Sequence, residues 1–140
     1  MVNEKKTMSI IVHSGTFDKL MPVFMLASTA ASMDTQVNLF FTFWGLSALK
    51  KGGLGKAKLP GLMSIGTGMM KGRMAKAKVP TMDEMLKMCR ETGNVKLYAC
   101  STTMELMHVA KEDLIPEVDD IVGAATFMEL ALNSEVNLFI

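Results

Sequence analysis

Apolar residues gather in five short runs: M-S-I-I-V-H at 8–13, V-N-L-F-F-T-F-W at 37–44, V-K-L-Y-A-C at 95–100, I-V-G-A-A at 121–125 and E-V-N-L-F-I at 135–140. Each is brief and rich in β-branched or aromatic residues, the pattern of strands buried in a sheet. Between them the apolar positions recur at helical spacing. Across 16–33, Leu20, Val23, Phe24, Ala27 and Ala31 share one face, and Asp18 lies near the positive helix start. Residues 81–92 open T-M-D-E after Pro80, place Met85, Leu86 and Cys89 on one face, and close at Thr92-Gly93-Asn94. Two shorter helices are predicted at 102–110 and 126–132.

Strands alternating with helices predict parallel β-α-β units, and hence an α/β fold. The expectation is a three-layer α/β/α sandwich around a mostly parallel five-stranded sheet, in one domain spanning 1–140. A chain of 140 residues buries roughly 70% of its unfolded surface, so it needs no disulfide or metal staple. One segment breaks the alternation. Residues 45–80, where the second strand should connect to its helix, read as a long Gly/Met-rich loop with a short basic helix at 68–76. Gly66, Gly68 and Gly72 miss the G-x-G-x-x-G spacing, and no G-x-x-x-x-G-K-[ST] occurs. Dinucleotide and P-loop readings therefore fail.

Charge changes the picture of that loop. No acidic residue lies between Asp34 and Asp83, while eight of the fifteen Lys and Arg do: Lys50, Lys51, Lys56, Lys58, Lys71, Arg73, Lys76 and Lys78. The interval carries +8 and the remainder −7. This points to an anionic partner for one segment, with no nucleic-acid coat, or else to a solvated basic loop. The region also holds Met63, Met69, Met70, Met74, Met82, Met85 and Met88. Thioethers bind soft Cu(I), but without Cys or His ligands in pattern they fit a mobile lid or an oligomer contact better. Hydrophobic residues make up 49% of the chain, an apolar surplus that favours self-association. No run is long enough for a secretory signal or a membrane span, and two cysteines in such a chain predict a reducing cytoplasm.

In parallel α/β sheets, ligands bind beyond the carboxyl ends of the strands. That edge should collect His13, Ser14, Gly15 and Thr16, then Trp44 and Gly45, then Cys100, Ser101 and Thr102. Thr102-x-x-Glu105 fits a capping box, which places Cys100 and Ser101 just ahead of a helix start, where N–H groups favour an anion. A thiol near ~8.5 is mostly protonated at neutral pH, and such a position with lysines nearby lowers it into the range of roughly 3.5–7.5. Cys100 is placed to be a nucleophile; the competing reading is a small buried hydrophobe. Cys89 is in a packing position, its alternative role a resolving thiol. His13 is a candidate general base or hydrogen-bond donor beside the thiol. Ser101, Thr102, Ser14, Gly15, Lys50 and Lys51 are candidate anion-binding residues, and Trp44 either walls the pocket or belongs to the core. A Cys-His hydrolase would want an orienting group, and neither Asp18 nor Asp119 is visibly placed for it. The absence of C-x-x-C and H-x-x-x-H argues against zinc.

Together S-I-I-V-H-S-G-T-F-D-K-L, F-F-T-F-W-G-L, the Lys/Gly/Met-rich loop and L-Y-A-C-S-T-T-M-E-L-M resemble the DsrE/DsrF-like family across almost the whole chain. More narrowly they resemble its sulfur-trafficking branch, which carries a peroxiredoxin-family label. The resemblance implies a DsrEFH-like parallel sandwich in a homo-oligomer. It also implies a cysteine that holds sulfur as a persulfide or thiosulfonate, with no cofactor and with TusA-like or rhodanese-like carriers as partners. The Y-A-C motif assigns that cysteine to Cys100; Cys89 has no firm match. The expected function is a cytoplasmic sulfur carrier or sulfurtransferase acting on small sulfur anions. The alternative is a non-covalent small-molecule or nucleotide-binding module whose basic loop closes over an anion. A peroxide-reducing enzyme is the weaker third, since no peroxidase motif supports it.

Overall fold

The apolar runs form strands, and the helical spacings between them form helices. The structure is a computed structural model and describes residues 4–140. Strand β1 (Thr7–Val12) leads through helix α1 (Phe17–Ser32) to β2 (Gln36–Phe41). A 3-10 segment (Phe43–Leu49), α2 (Gly53–Lys56), a second 3-10 segment (Gly61–Gly66) and α3 (Thr67–Lys76) follow. Then come α4 (Met82–Thr92), β3 (Val95–Cys100), α5 (Ser101–Leu106) and a 3-10 turn (Lys111–Asp113). The last elements are β4 (Asp120–Val122), α6 (Ala124–Leu132) and β5 (Val136–Phe139). The sheet order is β4-β3-β2-β1-β5, and every neighbouring pair is parallel. No helix among the described residues is long and apolar enough to cross a membrane.

Side chains alternate across a strand, and here the two faces differ. Ile10, Val12, Leu39, Phe41, Leu97 and Ala99 join Leu20, Phe24, Met85, Leu86 and Cys89 in the main core, between the sheet and helices α1 and α4. The intervening positions face α6, where Phe40, Cys100, Val122 and Phe127 form a smaller cluster. Phe40 and Phe127 stack with ring centroids 4.6 Å apart. Helix α4 begins with a reciprocal cap: Thr81 Oγ1 accepts from the Glu84 amide, and Glu84 accepts from the Thr81 amide. It ends at Gly93, whose φ of 70° favours glycine.

The short basic helix expected at 68–76 is present as α3, but the rest of residues 45–80 is more ordered than a loop. Leu46, Leu49, Leu54 and Ala57 are buried against the body of the domain, so the segment folds as a string of short helical pieces. Their placement rests on close backbone approach: a Cβ on Gly45 would run into the Val12 carbonyl. The second strand also ends earlier than its apolar run, because Phe43 turns to φ 47° and starts the 3-10 segment. The fourth is shorter too, since Ala124 already belongs to α6.

Leu39 is wholly buried on the central strand, whereas Leu62 is 91% exposed. Leu39→Ala is expected to lower the unfolding free energy by about 2–5 kcal/mol and Leu62→Ala by less than about 0.5 kcal/mol. Urea titration of the two variants measures both.

Candidate functional site

Parallel register brings the carboxyl ends of β1, β2 and β3 to one edge, with Val12 opposite Phe41 and Phe41 opposite Ala99. Cys100 closes β3 in extended backbone and is also the residue that precedes α5. The helix therefore starts two residues earlier than the Thr102–Glu105 capping box required, and that box does not form. Thr103 takes the third helical position instead, and its side chain turns back towards the sheet. Its hydroxyl accepts the Phe43 amide at 3.0 Å and lies 3.1 Å from the Thr42 hydroxyl, linking α5 to the residues just beyond β2. With the Phe43 amide already donating to this oxygen, the Thr103 proton is free to point elsewhere.

The Cys100 thiol is the group it can serve. Burial, with only 6% of the residue exposed, works to raise the thiol's pKa. The Thr103 hydroxyl and amide, the Thr42 hydroxyl and the Thr102 amide oppose that and outweigh it, so the thiol is held below its ordinary value. Donors that stabilise the charged form favour the thiolate, the nucleophilic state. Phe40, Val122 and Phe127 supply apolar walls. Thr42 and Thr103 were missed in the sequence. The available signal was Thr103's position three residues beyond the strand end, once the helix is taken to begin at Ser101.

The other candidates separate into groups. Cys89 lies on the opposite side of the sheet, wholly buried in the main core, and burial pushes its thiol up to about 11. It cannot act as a resolving thiol for Cys100 without leaving that core. His13 follows directly on β1, and β2 lies between β1 and the strand that ends at Cys100, two strand spacings or about 10 Å. Its ring sits between Phe43 and Phe139, with centroids at 5.7 and 5.5 Å. The hydroxyls of Thr42 and Thr103 occupy the place beside the sulfur expected for the imidazole. Trp44 is 65% exposed and belongs neither to the core nor to the wall around the thiol. Asp119 accepts both Arg90 terminal nitrogens and the Leu97 amide, so it is committed to the scaffold. Thr102 contributes its amide, and Ser101 borders a depression shared with Glu105 and His108. The Ser14 amide donates to the Ile140 carbonyl. Gly15, Lys50 and Lys51 meet in a separate cleft of about 310 Å³ that Lys56 and Lys58 also line. Among the described residues, no group of three or more His, Cys, Asp or Glu is placed to hold a metal ion.

Fold and site together define a parallel α/β protein with one of its two free cysteines, Cys100, at the sheet's carboxyl edge. The chain belongs to the DsrE/DsrF/DrsH-like family, whose model matches residues 4–64 and 53–139. It is 35% identical to the sulfur carrier protein DsrE2 of Allochromatium vinosum, over 98% of this chain and 99% of that protein. It is 33% identical, over the full length of both, to YrkE of Bacillus subtilis, a protein described as uncharacterized. The solved structure of MTH1491 from Methanobacterium thermoautotrophicum, a protein of unknown function, has the same fold. It superposes with a TM-score of 0.53 at 13% identity, over 98% of this chain and 100% of that one.

Thr103→Val keeps the shape and removes the hydroxyl, so the Cys100 thiol is expected to become less acidic. Alkylation at neutral pH should slow and its pH midpoint move upward. Cys89 gives the opposite linkage. Its folded value of about 11 lies above the unfolded 9.0, so its stabilisation is complete below pH 9 and lost as pH climbs to 11. That loss is of order 2 kcal/mol. Denaturant titrations across this window should show a shallower fall in Cys89→Val than in wild type, the remainder including Tyr98, whose hydroxyl pKa is also raised by burial.

Proposed function

We propose that this protein carries sulfane sulfur on Cys100 and hands it to a partner thiol. The observation that carries this reading is the position of a buried cysteine, Cys100, at the carboxyl end of β3 and directly before α5, where neighbouring hydroxyls and amides hold its thiol below the ordinary value. Those donors stabilise a thiolate, and they would equally stabilise the negative charge of a persulfide or a thiosulfonate. The relative named as a sulfur carrier, aligned over nearly its whole length, supports the assignment.

The chemistry is displacement at sulfur. The Cys100 thiolate attacks the outer sulfur of a donor persulfide, a new S–S bond forms, and the donor's S–S bond breaks. The bonding pair leaves on the donor, which departs as a thiolate, so no external oxidant or reductant is needed. The reverse displacement, with an acceptor thiolate attacking the outer sulfur, unloads the protein. With tetrathionate as donor, thiosulfate leaves and a thiosulfonate remains on Cys100. A TusA-like or rhodanese-like protein in the cytoplasm is the proposed exchange partner, and a homo-oligomer the proposed state.

A second reading rests on the cleft where Lys50, Lys51, Lys56 and Lys58 meet beside Gly15. Four ammonium groups around one concavity favour non-covalent binding of a small polyanion, with no role for the thiol.

Intact-protein mass spectrometry after incubation with a persulfide donor or tetrathionate separates the two. A reductant-reversible adduct is expected on wild type and Cys89→Ser, and none on Cys100→Ser. An adduct that survives in Cys100→Ser, or no adduct on any variant while Cys100 remains a free thiol, contradicts sulfur carriage.

A further inference from the structure

The eight cations between Asp34 and Asp83 have no carboxylate partner in the fold. Among the described residues the ion pairs are Lys5–Asp34 and Arg90–Asp119, and neither involves this segment. Lys71 donates to the Gly55 carbonyl at 3.1 Å and lies 5.5 Å from the centre of the Phe17 ring. Lys56, Lys58, Arg73, Lys76 and Lys78 are exposed. The same segment presents Leu62 and Ile65, the most exposed large hydrophobic side chains among the described residues at 91% and 87%.

That apolar tip is built into the fold. Gly61 turns the chain at φ 57°. The buried Thr67 hydroxyl accepts the Leu59 amide at 2.9 Å and donates to the Ser64 carbonyl at 2.7 Å, closing residues 59–67 into a fixed turn. Two branched aliphatic side chains are thus held in water, next to α3, which carries Lys71, Arg73 and Lys76.

We propose that residues 58–78 dock the protein on the surface of an anionic lipid bilayer. Leu62 and Ile65 enter the boundary between headgroups and acyl chains, and Lys58, Arg73, Lys76 and Lys78 meet the lipid phosphates. An exposed aliphatic tip flanked by cations is the signature of interfacial binding. Charge complementarity alone would also suit a nucleic acid. However, single strands are held by aromatic stacking platforms, and residues 45–80 contain no aromatic side chain. Docking of this kind is independent of sulfur carriage and is read without any sulfur donor, so failure of either reading leaves the other standing.

The full chain would be sedimented with vesicles of phosphatidylcholine alone and of phosphatidylcholine mixed with phosphatidylglycerol. Binding is expected on the mixed vesicles only, and it should weaken as salt is raised. The double variant Leu62→Ser/Ile65→Ser should reduce partitioning about tenfold. Replacing Arg73, Lys76 and Lys78 by Gln should reduce it about fivefold per cation removed at low salt. All these side chains are exposed, so melting temperatures should stay at the wild-type value and report intact folding. Equal binding to both vesicles, or to neither, overturns the proposal. So does anionic-vesicle binding that Leu62→Ser/Ile65→Ser leaves unchanged, which would indicate a purely electrostatic contact such as an acidic protein makes. Competition by inorganic phosphate at matched ionic strength also overturns it, since the cations would then be a site for the free anion.

Discussion

Strand β2 fixes everything else in this molecule. It is hydrogen-bonded in parallel to β1 on one side and β3 on the other, and its residues Val37 to Phe41 are buried. A slip of one residue would turn Leu39 and Phe41 away from the main core and Phe40 into it, so the register is strongly specified. That register makes three strands end together. Thr42 then stands one strand from Cys100, and the hydroxyl bridge to Thr103 ties the site to the scaffold.

The same alternation gives the two cysteines opposite chemistry. Cys89 faces the main core, where burial acts with little opposition and the thiol stays protonated. Cys100 faces the smaller cluster under α6, also with little exposure, but hydrogen-bond donors at the start of α5 reverse the effect of burial. Desolvation is common to both, and the donors make the difference. Phe43, at φ 47°, is the backbone cost of that arrangement: a bulky residue in a conformation that favours glycine. Its amide reaches the Thr103 hydroxyl from there.

Most of the sheet was legible in the sequence because the strands announce themselves by composition. V-K-L-Y-A-C and V-N-L-F-F read as strands with no help from tertiary context, and T-M-D-E after Pro80 marked the start of α4. In the segment 45–80 the basic helix at 68–76 was legible, but the stretch before it was read as loop because glycine and lysine content masked four apolar anchors, Leu46, Leu49, Leu54 and Ala57, whose burial depends on contacts distant in sequence. The site was half legible. Cys100 stood out by position, at a strand end before a helix. Its real partners did not, because Thr42 lies far away in sequence and Thr103 was hidden by a capping pattern at Thr102 and Glu105. His13 was drawn towards the thiol by its place at a strand end, without the strand order that puts β2 between them.

Sulfur carriage requires that Cys100 both accept and release the atom. The direct test is to load the protein with heavy-isotope sulfur, remove the donor, add an acceptor thiol protein, and follow both masses with time. The account predicts that the label leaves Cys100 and appears on the acceptor as a persulfide, with the Cys100 thiol regenerated at the same rate. Label that stays on Cys100, or that leaves only as free sulfide, would contradict it.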